Sequence, residues 1–202
     1  QYIIYKEING YKNKGRCSSM YAKNIHYTED DFENIQANYN GKAEYSNGYV
    51  VLSSNTSIKH NKIISRLNFK LMTFLDKSSC DVYTESIEVI FRNNEEVYKY
   101  KPDVFVMCEK STRQGESFTS APKIVFEVIS KSTAAHDYIT KLDVYQRFGV
   151  LEYNIVEQEG YIVQYSLIDN QYKITNVFKN NDNYISTAFP DMSINLEDIF
   201  KF

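Results

Sequence analysis

A chain of 202 residues, 43% hydrophobic and 24% charged, has apolar material for one domain with a substantial core and is short for two. Seven glycines and three prolines exclude a loop-rich or disordered chain, and no apolar run approaches the roughly 20 residues that cross a bilayer. The net charge of −3 argues against a nonspecific nucleic-acid binder, whose affinity rests on neutralising phosphates, though not against an enzyme with a local patch.

Residues 1–26 read as a poorly patterned extension, with no continuous apolar segment of the kind a secretory signal needs and with Met20 as an alternative start. Cys17, Cys80 and Cys108 are an odd number, widely spaced and without a CxxC pair. That argues against a disulfide framework and a structural zinc, and makes a reducing, cytoplasmic setting the default. Thr28 before Glu29, Asp30 and Asp31 predicts a short helix, a hydroxyl cap followed by acids at its positive end. Ala43–Ser46 and Tyr49–Leu52 flank Asn47-Gly48, a strong hairpin signal because both turn residues accept positive φ. Asn55, Thr56 and Ser57 offer caps for a helix over about 58–75, whose Ile63, Ile64, Leu67, Leu71 and Leu75 recur at helical spacing.

Two strands are expected around 82–91 and 102–108. Lys123–Ser130 is apolar at nearly every position, as in a strand covered on both faces. Ser132 or Thr133 can cap a helix running to about Phe148, with Gly149 as its C-terminal cap. Strands over 151–156, 161–167 and 172–178 follow, with turns at Glu159-Gly160 and Asp169-Asn170. This order predicts a single α/β domain, a mixed sheet flanked by helices.

Three charged residues fall where the core is expected. Glu127 interrupts the most deeply buried strand, and Asp103 opens a second apolar run directly after Pro102. A buried carboxylate is normally protonated, paired or metal-bound. If the two strands are neighbours, both acids point to one spot; otherwise Asp103 is a strand-start residue in water and Glu127 pairs with a lysine. Lys141 shares a helix face with Ala134, Tyr138, Tyr145 and Phe148, so it points inward, where an ammonium needs an anion. The competing arrangement is a surface pair with Asp137 or a stem that reaches water. His60 lies on the apolar stripe of its helix, a position more often structural than ligating, and Glu44 is ambiguous by itself.

Taken in order, these residues resemble a known family. Its markers are Glu44 ahead of Asn47-Gly48, His60, Pro102-Asp103, Pro122, Glu127-Val128-Ile129-Ser130 and Ser132-Thr133. They continue with Asp137, Lys141, Tyr145, Gly149-Val150, Glu152-Tyr153, Phe189-Pro190 and Ile199-Phe200. Residues 26–202 are similar to the PD-(D/E)XK nuclease superfamily, and within it to the bacterial Uma-type family of restriction-endonuclease-like proteins. In the strict motif a lysine stands two residues after the glutamate; here that position is Ile129, and the resemblance assigns the role to Lys141, with Lys131 as a rival. Asn154 and Glu157 stand where relatives tend to have Trp and Asp.

The resemblance implies a restriction-endonuclease-like mixed sheet flanked by helices, with an N-terminal hairpin, over residues 27–202. It implies metal-assisted hydrolysis of phosphodiester bonds in DNA. Mg²⁺ or Mn²⁺ would be held by Asp103, Glu127 and the main-chain carbonyl of Val128, with Lys141 orienting the attacking water or offsetting transition-state charge. Glu44 would bind metal or position Lys141, and His60 would contact the phosphate or the acids. A homodimer, by which many such nucleases cut both strands, is compatible with it; a membrane is not. Two other readings compete: a nuclease-fold module that binds nucleic acid or a protein without catalysis, and a protein whose inward charges form a self-satisfied network.

Overall fold

The computed structural model describes residues 3–4, 26–53, 57–129 and 136–202. The possible caps at Asn55, Thr56, Ser132 and Thr133, together with Lys131, Ala134 and Cys17, lie outside them.

Helix α1 (Glu29–Asn38) starts with a reciprocal cap, in which Asp31 N–H donates to the Thr28 hydroxyl and Thr28 N–H donates to the Asp31 carboxylate. The hairpin follows as β2 (Lys42–Ser46) and β3 (Tyr49–Ser53), with Asn47 and Gly48 at φ 44° and 94°. Ile3–Ile4 (β1) pairs with β3 at its outer edge. Helix α2 (Ile58–Leu75) is capped by the Ser57 hydroxyl, which accepts from His60 N–H, and buries the expected stripe of Ile63, Ile64, Leu67, Leu71 and Leu75 together with His60.

The single strand expected over 82–91 is instead two. β4 (Cys80–Thr84) and β5 (Val89–Arg92) belong to different sheets, and β6 (Val97–Tyr100), absent from the sequence reading, pairs with both β5 and β2. β7 (Val104–Cys108), β8 (Arg113–Gln114), β9 (Ser117–Phe118) and β10 (Ile124–Ile129) follow. The helix expected to run to Phe148 is a π-helical turn over His136–Lys141 continuing into α3 (Leu142–Arg147). β11 (Glu152–Glu157), β12 (Tyr161–Ile168) and β13 (Gln171–Lys179) form the expected meander, and β14 (Asn183–Ile185), β15 (Ser193–Asn195) and α4 (Leu196–Phe200) complete the chain.

One mixed sheet was expected; among the described residues there are two larger ones and a two-stranded ribbon. The first runs β1-β3-β2-β6-β5-β9-β8, the second β13-β12-β11-β10-β7-β4. The second sheet is the centre of the molecule. On one face Val104, Val106, Ile124, Phe126 and Val128 pack under α2 and α4. On the other, Phe105, Met107, Val125, Ile129, Tyr153 and Ile155 meet α3 and the first sheet. This two-sided cover is why β10 reads as a continuous apolar run rather than an alternating one.

The cysteine expectation needs correction. Cys80 and Cys108 face each other in the β4–β7 register and form a disulfide. Their separation of 28 in sequence hid a pairing that only the antiparallel ladder creates. Glu152, a marker of the resemblance, is wholly buried. It accepts from Tyr184 and Ser186 hydroxyls and from the main-chain N–H groups of Thr187 and Ala188, so it ties β11 to the segment after β14. No helix among the described residues is long and apolar enough to cross a membrane.

Gly149 closes α3 at φ 84°, where the Val150 N–H reaches back to the Tyr145 carbonyl and the Gly149 N–H to Gln146. A Cβ there meets nothing within 4 Å, whereas at Gly48 it would stand 2.0 Å from the His26 ring. Gly149→Ala is therefore expected to cost only the left-handed backbone penalty, about 1–2 kcal/mol, and Gly48→Ala measurably more. Urea unfolding of the two variants checks the order.

Candidate metal centre

The β7–β10 register carries the site. Phe126 pairs with Val104 and Val125 with Phe105, so one step further along the ladder Glu127 comes opposite Asp103. Both project to the α3 side of the sheet, because side chains two apart on a strand share a face. β7 begins only at Val104, so beyond its end the Val128 N–H donates to Asp103 Oδ2 at 2.8 Å in place of a ladder partner. The N–H and C=O of a strand residue leave the same edge, so the Val128 carbonyl faces the same side.

Three further elements close around the pair. From α2, His60 Nε2 lies 3.2 Å from Asp103 Oδ2; its buried Nδ1 has no hydrogen-bond partner among the described residues. From the hairpin, β2 contributes Glu44 and Lys42, two apart and so on one side of the strand. From the π-helical turn, Lys141 Nζ stands 2.9 Å from Glu127 Oε1, 3.1 Å from Glu44 Oε2 and 3.4 Å from Asp137 Oδ1. The inward orientation and the Asp137 pair, set against each other as alternatives, hold together, since Asp137 is itself buried. A π turn has more residues per turn than an α-helix, so His136 and Asp137 both come over Lys141, and His136 Nε2 reaches to 3.7 Å from Glu44 Oε2. The Tyr145 hydroxyl donates to Glu127 Oε1 at 2.8 Å, and Lys101 N–H donates to Glu44 Oε1 at 2.8 Å.

The structure thus brings Asp103, Glu127, Lys141, Glu44, His60 and the Val128 main chain to one place. It adds Lys42, His136, Asp137 and Tyr145 as partners. Lys42 was missed because a lysine beside Gly41 at the start of an edge-like segment reads as a solvated residue. The available signal was its two-residue spacing from Glu44.

Asp103 and Glu127 each have one oxygen anchored inward and the other turned to a common point, which the Lys101-bound Oε1 of Glu44 also faces. Asp103 Oδ1, Glu44 Oε1 and Glu127 Oε2 lie 2.8, 3.9 and 4.0 Å from the Lys42 ammonium. Among the described residues no three Asp, Glu, His or Cys side chains stand close enough to share a metal ion as placed. The Lys42 ammonium stands among them: metal–oxygen distances of about 2.0–2.6 Å at that point require the two glutamates to draw inward by an ångström or more.

The charge balance favours such an approach. Asp103, Glu127, Glu44 and Asp137 face the ammonium groups of Lys42 and Lys141, with the imidazoles of His60 and His136 beside Asp103 and Glu44; with all four acids ionised and both imidazoles neutral, the shortfall equals one divalent cation. Three hard carboxylate oxygens and a main-chain carbonyl suit Mg²⁺ or Mn²⁺. The titration of the acids reflects the same imbalance. Burial works to raise Glu44 and Asp103, but Lys141 and Lys42 acting on Glu44, and Lys42 and His60 acting on Asp103, hold both well below the usual carboxylate range. At Glu127 burial wins over Lys141 and Lys42, helped by Asp103 and Asp137, and the carboxyl is pushed up to about 8. Burial would lower Lys42 and Lys141; the surrounding acids hold both above the ordinary lysine value.

The second sheet, flanked on both faces and preceded by a hairpin, with paired acids on adjacent strands and a lysine from the following helix, defines a restriction-endonuclease-like fold. The chain belongs to the Uma2 family, described as "Putative restriction endonuclease", which matches residues 29–197. It is 29% identical over 111 residues to "Uncharacterized protein slr1290" of Synechocystis sp. (strain ATCC 27184 / PCC 6803 / Kazusa), a match spanning 55% of this chain and 57% of that protein. "Uncharacterized protein sll1609" of the same organism is 26% identical over 145 residues, 69% of this chain and 81% of the relative. A crystal structure titled as a "putative nuclease belonging to DUF820" from Anabaena variabilis ATCC 29413 shares the fold with a TM-score of 0.63 at 14% identity, covering 78% of this chain and 89% of that one.

The raised Glu127 has a consequence for stability. A carboxyl that titrates near 8 when folded, against an ordinary 4.5, takes up a proton on folding. Its contribution is full below about 4.5 and is lost as pH rises through about 8. Asp103 and Glu44, held low, contribute above their ordinary values of 3.8 and 4.5 and lose that contribution as pH falls. In EDTA, Tm is expected to fall between pH 6 and 9, and Glu127→Gln to flatten that fall. Calorimetry across this range checks it; an unchanged slope in the variant would place the titrating group elsewhere.

Proposed function

We propose that the chain is a divalent-metal-dependent endonuclease that hydrolyses phosphodiester bonds in DNA. The observation that carries this reading is the convergence of Asp103 Oδ1, Glu127 Oε2 and Glu44 Oε1 on one point in a buried cluster with more carboxylates than lysines. Asp103, Glu127 and the Val128 carbonyl would hold Mg²⁺ or Mn²⁺. When bound, the ion polarises a phosphoryl oxygen and lowers the pKa of a coordinated water.

The chain's own residues supply the rest. His60 and the Val128 N–H hold Asp103 Oδ2, so Oδ1, which Lys42 meets at 2.8 Å, is the oxygen that would ligate. Tyr145 and Lys141 do the same for Glu127 through Oε1, leaving Oε2. Lys141, held between Glu127, Glu44 and Asp137, would offset the negative charge that builds on the phosphoryl group in the transition state. Glu44 is a positioning residue: its Oε2 holds Lys141 and its Oε1 is fixed by Lys101 N–H.

One observation favours a second reading, the self-satisfied network: Lys42 at 2.8 Å already neutralises Asp103. Metal-dependent stabilisation separates the two. Mn²⁺ at about 100 times its Kd is expected to add about 2.7 kcal/mol, a rise in Tm of roughly 5–10 °C, with the shift abolished in Asp103→Ala. No shift in the native protein supports the network.

Cleavage of plasmid and single-stranded DNA in Mn²⁺ tests the enzyme directly. Glu127→Ala and Lys141→Ala are expected to lower the rate by roughly 100-fold or more, the scale of losing one group that meets transition-state charge. Equal cleavage by all three proteins would assign the activity to other residues.

A further inference from the structure

Among the described residues of the cluster, Lys42 has the most access to water. Its side chain retains 17% of its exposure, against 2% for Lys141 and for Glu127 and 5% for Asp103 and Glu44. It starts β2 at the open end of the hairpin, opposite Ser53, on a four-carbon stem whose ammonium can leave for solvent without moving the strand. Lys141 has no such route; three acids and the Tyr100 ring enclose it. The two lysines therefore differ in kind. Lys141 is built in, while Lys42 reaches inward from the rim to the three oxygens that a cation would need.

We infer that Lys42 is a resident counter-ion for the metal centre: its ammonium holds the place of the divalent cation, keeps the acids apart in the metal-free protein, and must swing out to solvent for metal to bind. The inference rests on the metal-centre reading above and adds to it the group that sets metal affinity. The physical basis is competition. The ammonium and the cation draw on the same oxygens of Asp103 and Glu127, and only one of them can stand between the two acids. The exchange makes no covalent bond and transfers no proton, since Lys42 leaves as an ammonium. Once outside, it stands at the mouth of the pocket, where an incoming phosphodiester is the nearest anion, so release of the acids and capture of substrate charge are linked in one side chain.

The experiment is Mn²⁺ binding to the full chain at fixed pH, by calorimetry and by the electron paramagnetic resonance of free Mn²⁺, in wild type, Lys42→Met and Lys42→Arg. Lys42→Met keeps the stem and removes the competitor, and is expected to bind at least tenfold more tightly. Lys42→Arg keeps the charge and is expected to stay near wild type. Loss of a merely structural contact would weaken binding or leave it unchanged, so either result in Lys42→Met overturns the inference while leaving the metal centre standing. If neither wild type nor Lys42→Met binds Mn²⁺, the metal centre itself fails and takes this inference with it. Should Lys42→Met not fold, ¹⁵N-lysine spectra of the wild type decide: saturating Mg²⁺ should move the Lys42 ammonium signal to that of an exposed lysine and leave Lys141 protected. A Lys42 signal unchanged at saturation overturns the inference.

Discussion

Burying negative charge costs more than any local propensity can return, and this structure gathers four carboxylates in one interior pocket. Two unit charges 4 Å apart repel by about 4 kcal/mol even at an effective dielectric near 20, and each buried ion also loses several kcal/mol of hydration. Lys42 and Lys141 offset part of this, and the main-chain N–H groups of Val128 and Lys101 offset more. The remaining imbalance shows at Glu127, the acid that holds its proton most firmly. A pocket left in this condition favours a doubly charged cation, and the fold's other features serve to keep it so.

Those features are few. The antiparallel register between β7 and β10 sets Glu127 opposite Asp103, and the late start of β7 frees the Val128 main chain to reach the acid. Cover on both faces of the second sheet buries the pair. The first sheet brings Glu44 and Lys42 across from the hairpin, while the π-helical turn delivers Lys141 with Asp137 and His136 behind it. The site lies between two sheets and two helices, and Asp103, just ahead of β7, is fixed by the Val128 N–H and His60.

Much of this was legible in the residues. Asn47-Gly48 marked the hairpin, the leucine and isoleucine stripe of α2 fixed its span at 58–75, and β10 declared its burial by unbroken apolar character. Asp103, Glu127 and Lys141 stood out because each is a charge set into an apolar pattern that should exclude it. The parts that escaped are long-range. Nothing local says that β4 and β5, nearly contiguous, join different sheets, or that Val97–Tyr100, following the polar run Asn93–Glu96, is a strand. The Cys80–Cys108 disulfide and the convergence of Lys42 on the acids are likewise products of strand pairing, which sequence spacing does not encode.

The central claim is that these acids form a cation site and not a closed salt-bridge network. A crystal of the protein soaked in Mn²⁺ and measured at the manganese absorption edge tests it most directly. The account predicts one anomalous peak within about 2–2.3 Å of Asp103 Oδ1 and Glu127 Oε2, with the Val128 carbonyl facing it. Full soaking with no peak there, and both carboxylates still on their lysines, would contradict it.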